Sequence, residues 1–563
     1  MPTDKHQNDT YHGSRTKSWA DRWSNPLEVN FDVEQLKKLI SPWRKFANRK
    51  LRQKMTNSMY FNTICGLCLA NPENEKDLER FRKHGYYKLN NFLRRLSTRE
   101  VALLEAKLVI WCTLNLLVYY QTRIRTVVGC EAFRIRKKAK RSEELFCHYL
   151  SIEMPEYESE VLTHIVNYFS HTSQWDFEDV VMFVFQKFSV LSTKHDIVVT
   201  KLISTIEQAQ VEKRMEEALL ISKNLSIVLD SIYPERYVFT PKLRKCFCTL
   251  LRIHLLNIID VNNDLRTNSV FVKFRIQIQN CVRNFISKMK DDKGLITIMD
   301  IVAEIMLDIE VPGDERADLV EMIKQCAQGL RAYLYSECIT PNVLDFLLTN
   351  LKSDIRSSVM FSQRIFHHVL DRRNNLQYFK EPIYHFKGRS RFVVNVVYHR
   401  NDIHFFKSFS QSFFNALYKC LNRFTEITSL VSSYTVICLV LVEMPDPTIT
   451  INVIHVVIKT QNNVLKNADD FNILSTYHIH SVIASILSLI CLIHEDEVFA
   501  LSKYVREVVS FRNENSPHLL PPLKPDYHIA THHTRAYHRE LYFLEEEVLY
   551  ALKQCWLGRR RGL

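Results

Sequence analysis

The sequence predicts an all-α protein, an α-solenoid of divergent armadillo- or HEAT-like helical repeats, and three observations carry that prediction. Glycine occurs 10 times and proline 16 times in 563 residues, well below the usual share of roughly 7% and 5%, and sandwiches, barrels and doubly wound sheets need these residues at their turns. Apolar positions recur at helical spacing in one segment after another, separated by short breaks. Finally, Tyr434–Met444 and Val482–Ile493 are apolar nearly all round, as helices enclosed by neighbours in a solenoid are. No motif repeats at a fixed period, so the repeats are divergent.

Composition narrows the function as well. Hydrophobic residues make up 46% of the chain and charged residues 24%, with 33 Phe and 24 Tyr, which is too apolar for a disordered chain. Of the ten glycines only Gly558 and Gly562 stand four apart, with arginines between them. No dinucleotide fingerprint, P-loop or G-x-S-x-G nucleophile elbow can therefore be written. The net charge of +13 favours an anionic partner.

Taken in order, residues 1–32 are polar and aperiodic and read as a disordered tail with no apolar core of a secretory signal, so the 14 cysteines are expected to be cytosolic thiols. Residues 33–60 read as a basic helical element. Arg44, Lys45, Arg49, Lys50, Arg52 and Lys54 surround Trp43, Phe46 and Leu51, a composition that suits a membrane surface and equally a solvated helix face.

The solenoid is expected over 61–520. Val101–Tyr120 contains Glu105, Lys107 and Asn115, and Ser481–Ile493 is followed at once by His494 and Glu495, so both read as buried helices rather than membrane spans. Met215, Ala218, Leu219, Leu225, Val228 and Leu229 form one stripe ending at Tyr233-Pro234. Thr240-Pro241 opens the next helix, whose buried face is Leu243, Phe247, Leu250, Leu251, Leu255 and Ile258. Similar units follow at 356–371, 409–421, 431–444, 449–463, 476–493 and 497–512. Two segments look strand-like: Arg391–His399, which is β-branched, and Thr448–Val457, which fits a helix equally well. Residues 521–563 read as a His-rich, basic C-terminal segment with a short helix.

Candidate chemistry is sparse, and no catalytic residue, metal site or cofactor is expected. Cys65-Gly66-Leu67-Cys68 has knuckle spacing, but no second C-x-x-C or histidine pair follows at finger distance. His528, His532, His533 and His538 cluster without the glutamate of a zinc protease and read as exposed and unliganded. Arg134, Arg136, Lys137, Lys138, Lys140 and Arg141 form a second basic run, able to touch phosphate or anionic lipid. It lacks the aromatics that RNA modules use as stacking platforms, so a solvated helix face is the default and nucleic acid is not expected.

Residues 471–522 resemble a late helical repeat of the rolling blackout (stambha A) family. Tyr477 and His478 open a long apolar helix, Arg506-Glu507-Val508-Val509 and Arg512 follow, and Ser516-Pro517-His518-Leu519-Leu520-Pro521 closes the stretch. Glu540-Leu541-Tyr542-Phe543-Leu544 is similar to a short family helix, and Asp354–Arg356 through Asp371-Arg372-Arg373-Asn374-Asn375 to a family helix ending in Asp-Arg. Tyr434–Glu443 with Ile454–Gln461 resembles the pair before the Tyr-His helix. Phe92-Leu93-Arg94-Arg95-Leu96-Ser97, and Pro42-Trp43-Arg44-Lys45-Phe46, resemble its N-terminal elements. The matches cover about half the chain in ordered patches and leave Cys130 to about Asn350 without detailed likeness.

The resemblance implies a non-enzymatic scaffold on the cytoplasmic face of the plasma membrane, with a cytosolic pool. It implies that a type III alpha phosphatidylinositol 4-kinase complex is held there through a tetratricopeptide-repeat adaptor and hyccin-like subunit. It also implies two departures. No cysteine precedes Cys65, so the acylated cluster of animal relatives has no counterpart, and most of the family's long C-terminal tail is absent. The expected anchor is then Trp43, Arg44, Lys45, Arg49, Lys50, Arg52 and Lys54 against anionic membrane lipid, with Cys65 and Cys68 as expected acylation sites giving a second signal. The alternatives are a generic armadillo-type interaction adaptor or, less favoured, a lipase, which lacks its nucleophile elbow here.

Overall fold

The structure, a computed structural model, describes residues 33–40, 57–96, 104–194, 196–231, 239–259, 269–308, 313–330, 334–386, 391–527 and 538–560. Among them there is no strand. They divide into two compact units, the first comprising Met1–Pro234 and Pro241–Asn284, the second Glu235–Thr240 and Phe285–Leu563.

The first unit contains α1 (Val33–Ile40), α2 (Asn57–Leu69), α3 (Glu75–Leu93), α4 (Ala106–Thr126), α5 (Cys130–Thr172), α6 (Glu178–Leu191), α7 (Ile197–Val211), α8 (Met215–Ser231), α9 (Pro241–Ile259) and most of α10 (Ser269–Lys288). α4 and α5 form its most extensive helix pair. Within α5 the backbone departs from helical angles at Tyr157 (φ −125°, ψ 33°). Pro155, which has no N–H to donate, lies just before that kink. The stripe foreseen on α8 is buried at Ala218, Leu225, Val228 and Leu229, while Met215 and Leu219 are half-buried. Proline 241 opens α9, whose Leu243, Phe247, Leu250, Leu251 and Leu255 are buried.

The second unit contains α11 (Asp292–Asp308), α12 (Gly313–Gly329), the single turn α13 (Tyr335–Cys338), α14 (Pro341–Leu351), α15 (Arg356–Leu370), α16 (Arg400–Arg423), α17 (Ile427–Glu443), α18 (Pro447–Lys466), α19 (Ile473–Ile493), α20 (Phe499–Asn515) and α21 (Glu545–Arg560). Its helices stack in two layers. α11, α14, α16 and α18 succeed one another in one layer, and α12, α15, α17 and α19 in the other, each helix also packing on its hairpin partner. That alternation is the stacked-hairpin architecture of a helical repeat array.

Two local outcomes differ from the strand-like readings. Thr448–Val457 is helical, within α18, because Asp446 caps the N–H groups of Thr448 and Ile449 and Pro447 fits the first turn. Arg391–His399 forms no strand: it is non-helical, bends at Val396–Val397, and its backbone finds partners outside any sheet. Asn395 N donates to the Val442 carbonyl (2.8 Å) and Val393 N to Asn375 Oδ1 (2.8 Å). The segment thus caps the open C-terminal carbonyls of α17.

Residues 371–386 and 391–399, a strap, also explain the all-round apolar helices. α17 is enclosed by α15, α16 and α19, and the strap covers a further side: Thr435 Oγ1 donates to the Phe379 carbonyl (2.8 Å). α19 is long and apolar enough to cross a membrane, with mean hydropathy 1.8, yet 78% of its apolar window is buried inside the protein. There it is a core helix. Part of the C-terminal segment, read as separate from the solenoid, belongs to this core, with Leu541, Phe543, Val548 and Ala551 buried.

Candidate functional site

The positions foreseen as the membrane anchor, Trp43, Arg44, Lys45, Arg49, Lys50, Arg52 and Lys54, lie outside the described residues, as do His528, His532 and His533. What is described on either side of the anchor is firmly packed. Leu36 of α1 is buried against Leu67, Ala70 and Phe81, with Val33 and Ile40 alongside.

Cys65 and Cys68 are placed where acylation does not reach them. Both are fully buried on α2 and face Cys112 of α4, and burial pushes all three thiols upward, those of Cys68 and Cys112 well above their usual range. A buried, protonated thiol is neither an accessible nucleophile nor an acceptor for an acyl chain. The expectation of acylation at these two residues is therefore corrected: they are core residues. Arg82, which the sequence reading did not single out, lies beside them. Its Nη1 donates to the carbonyls of Leu67 (3.2 Å) and Ala70 (2.7 Å) and its Nη2 to Asn71 Oδ1 (2.6 Å), closing the C-terminus of α2.

The family-like motifs converge on two buried polar hubs, both in the second unit. At the first, Arg373 Nη2 donates to Asn395 Oδ1 (2.6 Å) and Nη1 to Glu443 Oε2 (2.5 Å), while Asn395 Nδ2 donates to the Glu443 carbonyl (2.9 Å). Arg372 Nη1 pairs with Asp402 Oδ2 (2.8 Å), its guanidinium lies 3.4 Å from the Tyr335 ring centroid, and Asp402 Oδ1 accepts from Tyr335 N (2.6 Å). Asp371 accepts from the backbone N–H groups of Asn375 and Leu376. The Asp-Arg-Arg-Asn-Asn run thus fixes the strap to α16 and α17.

At the second hub, the fully buried Arg512 donates from Nε to the Leu541 carbonyl (2.6 Å) and from Nη1 to the carbonyls of His480 and Leu519 (3.2 Å each), with its guanidinium 4.6 Å from the Phe543 ring centroid. Gln461 binds both backbone groups of Phe543, donating 2.7 Å to the carbonyl and accepting 3.1 Å from the N–H. His478 Nε2 lies 2.8 Å from the Lys524 carbonyl, and the rings of Tyr477 and His518 are 4.2 Å apart. These residues hold architecture together.

Two further features bear on chemistry. A groove of about 730 Å³ opens where α14, α16 and α18 end and α19 begins. Asn463 Nδ2 donates to Asn422 Oδ1 and Asn467 Nδ2 to Asn463 Oδ1, each at 2.8 Å. The sequence offers no signal for this row, because α16 and α18 contribute to it from distant positions. A hydroxyl–imidazole–carboxylate order also occurs: Thr450 Oγ1 lies 2.9 Å from His494 Nε2, and His494 Nδ1 lies 3.4 Å from Glu497. Thr450 is buried, however, and the N–H groups of Thr448, Ile449 and Thr450 all donate to Asp446, leaving no oxyanion donors there. Among the described residues no three histidine, cysteine or carboxylate side chains cluster as metal ligands.

The model of the family described as EFR3, armadillo repeat, matches residues 142–554. No curated protein and no solved structure matches significantly. The match spans most of the chain, including the layered hairpins, the strap and both hubs. The chain belongs to the EFR3 armadillo-repeat family, whose helical repeats serve as a scaffold rather than a catalytic fold.

Proposed function

We propose that this chain is a peripheral scaffold at the cytoplasmic face of the plasma membrane, with a cytosolic pool. It gathers a phosphatidylinositol 4-kinase complex there through a tetratricopeptide-repeat adaptor and a hyccin-like subunit, supporting phosphatidylinositol 4-phosphate synthesis without catalysis of its own. The observation that carries the reading is the family match over 142–554, laid on stacked helices whose signature residues are spent on packing and capping. The anchor in this reading is the basic element around Trp43, where Arg44, Lys45, Arg49, Lys50, Arg52 and Lys54 each gain about 1 kcal/mol near anionic lipid.

The test is imaging of the fluorescently tagged chain beside a variant with those six residues changed to Gln, together with recovery of the kinase and its adaptor on the tagged protein. The parent is expected to line the plasma membrane and retain the kinase, and the variant to become cytosolic. A parent that is diffuse and retains no kinase would leave a generic interaction adaptor in its place.

A further inference from the structure

The turn joining α4 to α5 carries an exposed apolar tip that the packing of the first unit does not use. Val128 is 89% exposed and Phe133 72% exposed. Gly129, at φ +72°, turns the chain into α5 with no side-chain cap on its first N–H groups. At 100° per residue, Phe133 and Lys137, with Lys140 one turn further, lie on one face of α5, flanked by Arg134 and Arg141. Ala132, Ile135, Ala139 and Ser142 are buried on the opposite face.

The acidic neighbours do not neutralise this face. Glu131 lies 3.7 Å from Arg123, and Glu143 accepts from Gln121. Arg134, Lys137, Lys140 and Arg141 have no carboxylate within ion-pair distance among the described residues, and Glu144 is the acidic residue further along the same face. A merely solvated helix accounts for the charges but not for the valine and phenylalanine at its tip. An anionic leaflet takes both, with apolar side chains at the acyl boundary and basic ones among the headgroups. α1, which precedes the basic element, is tied to the same edge, since Lys37 pairs with Asp77 and Arg123 bridges Glu75 and Glu131.

We propose that the α4–α5 turn and the exposed face of α5 form a second lipid-contact edge, with Val128 and Phe133 entering an anionic leaflet and Arg134, Lys137, Lys140 and Arg141 holding its headgroups. This rests on the membrane-scaffold reading and adds a surface to it.

The test is co-sedimentation of the full chain with phosphatidylcholine vesicles containing or lacking phosphatidylserine. Three variants are compared with the parent: Val128→Ser with Phe133→Ser; Arg134, Lys137, Lys140 and Arg141 to Gln; and the six N-terminal basic residues to Gln. Val128, Phe133, Arg134, Lys137 and Lys140 are exposed and Arg141 is half-buried near Tyr86, so circular dichroism checks the folding of each variant. Each edge variant is expected to bind anionic vesicles about tenfold more weakly than the parent or worse. A Phe133→Trp chain is expected to gain fluorescence that brominated lipid quenches, a readout that needs no loss of binding. If the edge variants bind like the parent while the N-terminal variant does not, the proposal fails and the membrane reading stands. If the parent ignores anionic vesicles altogether, both fail. If the edge instead binds an RNA oligonucleotide and no vesicle, the proposal is likewise overturned.

Discussion

Arg373 and Glu443, separated by 70 positions in the chain, meet with Nη1 2.5 Å from Oε2. The carboxylate is fully buried, Asn375 Nδ2 lies 3.5 Å from Oε1, and Asn395 Nδ2 donates to the Glu443 backbone carbonyl. The contact ties the strap to the end of α17. Desolvation still outweighs the guanidinium, and the Glu443 carboxyl is pushed up to about 7.

Replacing Arg373 by Met strands that carboxylate. Removing one partner of a buried pair costs about 3–5 kcal/mol, and the partial exposure of Arg373 brings the expected loss to about 2–3 kcal/mol. Urea unfolding measures it, and hydrogen exchange over 391–398 is expected to accelerate selectively. A loss below about 0.5 kcal/mol would show that the asparagines alone hold the strap.

The same group gives a pH dependence of known sign. The folded protein holds the Glu443 proton more tightly than the unfolded chain does, so its contribution is fully present below the ordinary carboxyl value of 4.5 and is lost as pH rises through about 7. Stability from this residue therefore falls between pH 5 and 8. Glu443→Gln is expected to flatten that part of the unfolding profile; an unchanged slope would assign it to another group.

Arg512 closes the C-terminal part of the second unit. Burial lowers its guanidinium to about 9, and three carbonyls depend on it. Arg512→Leu should cost about 3 kcal/mol or more by leaving those acceptors unpaired. Lys should rescue little, lacking the planar fork. Limited proteolysis is expected to release the chain beyond residue 538 early in both variants, and resistance equal to the parent's would remove Arg512 from this role.

Thiol accessibility tests the placement of the cysteines. Of the described cysteines, Cys130 and Cys248 are exposed and should alkylate in the native protein, Cys147 more slowly. Cys65, Cys68 and Cys112 should react only on unfolding, as peptide mapping will read. Native labelling of Cys65 or Cys68 at the rate of Cys130 would restore them as acyl acceptors.

At Gly85 α3 lies close against α2. A Cβ there would lie 2.9 Å from Cys68 Sγ and 3.1 Å from the Leu67 carbonyl. The backbone atom cannot rotate away, so Gly85→Ala is expected to destabilise by about 1–3 kcal/mol despite its better helix propensity. A stabilised variant would mean that the two helices move apart freely.

The helices from α15 to α20 were legible because each buries a stripe or a whole surface, and periodicity reports burial directly. The basic run from Arg134 was legible as charge, whereas the exposure of Phe133 beside it was not, since the sequence cannot distinguish an aromatic that finds the core from one that does not. Cys65 and Cys68 show the converse. Their spacing and neighbourhood suggested a modifiable surface, and the packing of α2 on α4 placed both sulfurs inside.

By itself the sequence determined the helical class, the want of a nucleotide or hydrolase motif, and the family resemblance that the match over residues 142–554 bears out. Only the tertiary structure decided that Asn395 of the Arg391–His399 segment caps a helix, that Arg373 and Arg512 each anchor a polar hub, and that Leu541, Phe543, Val548 and Ala551 join the core. The physical reason is range. Helix formation and burial patterns are set by residues three and four apart, whereas the partner of a buried arginine, or of an extended segment's N–H, lies tens of residues away and is chosen by the packing of whole layers.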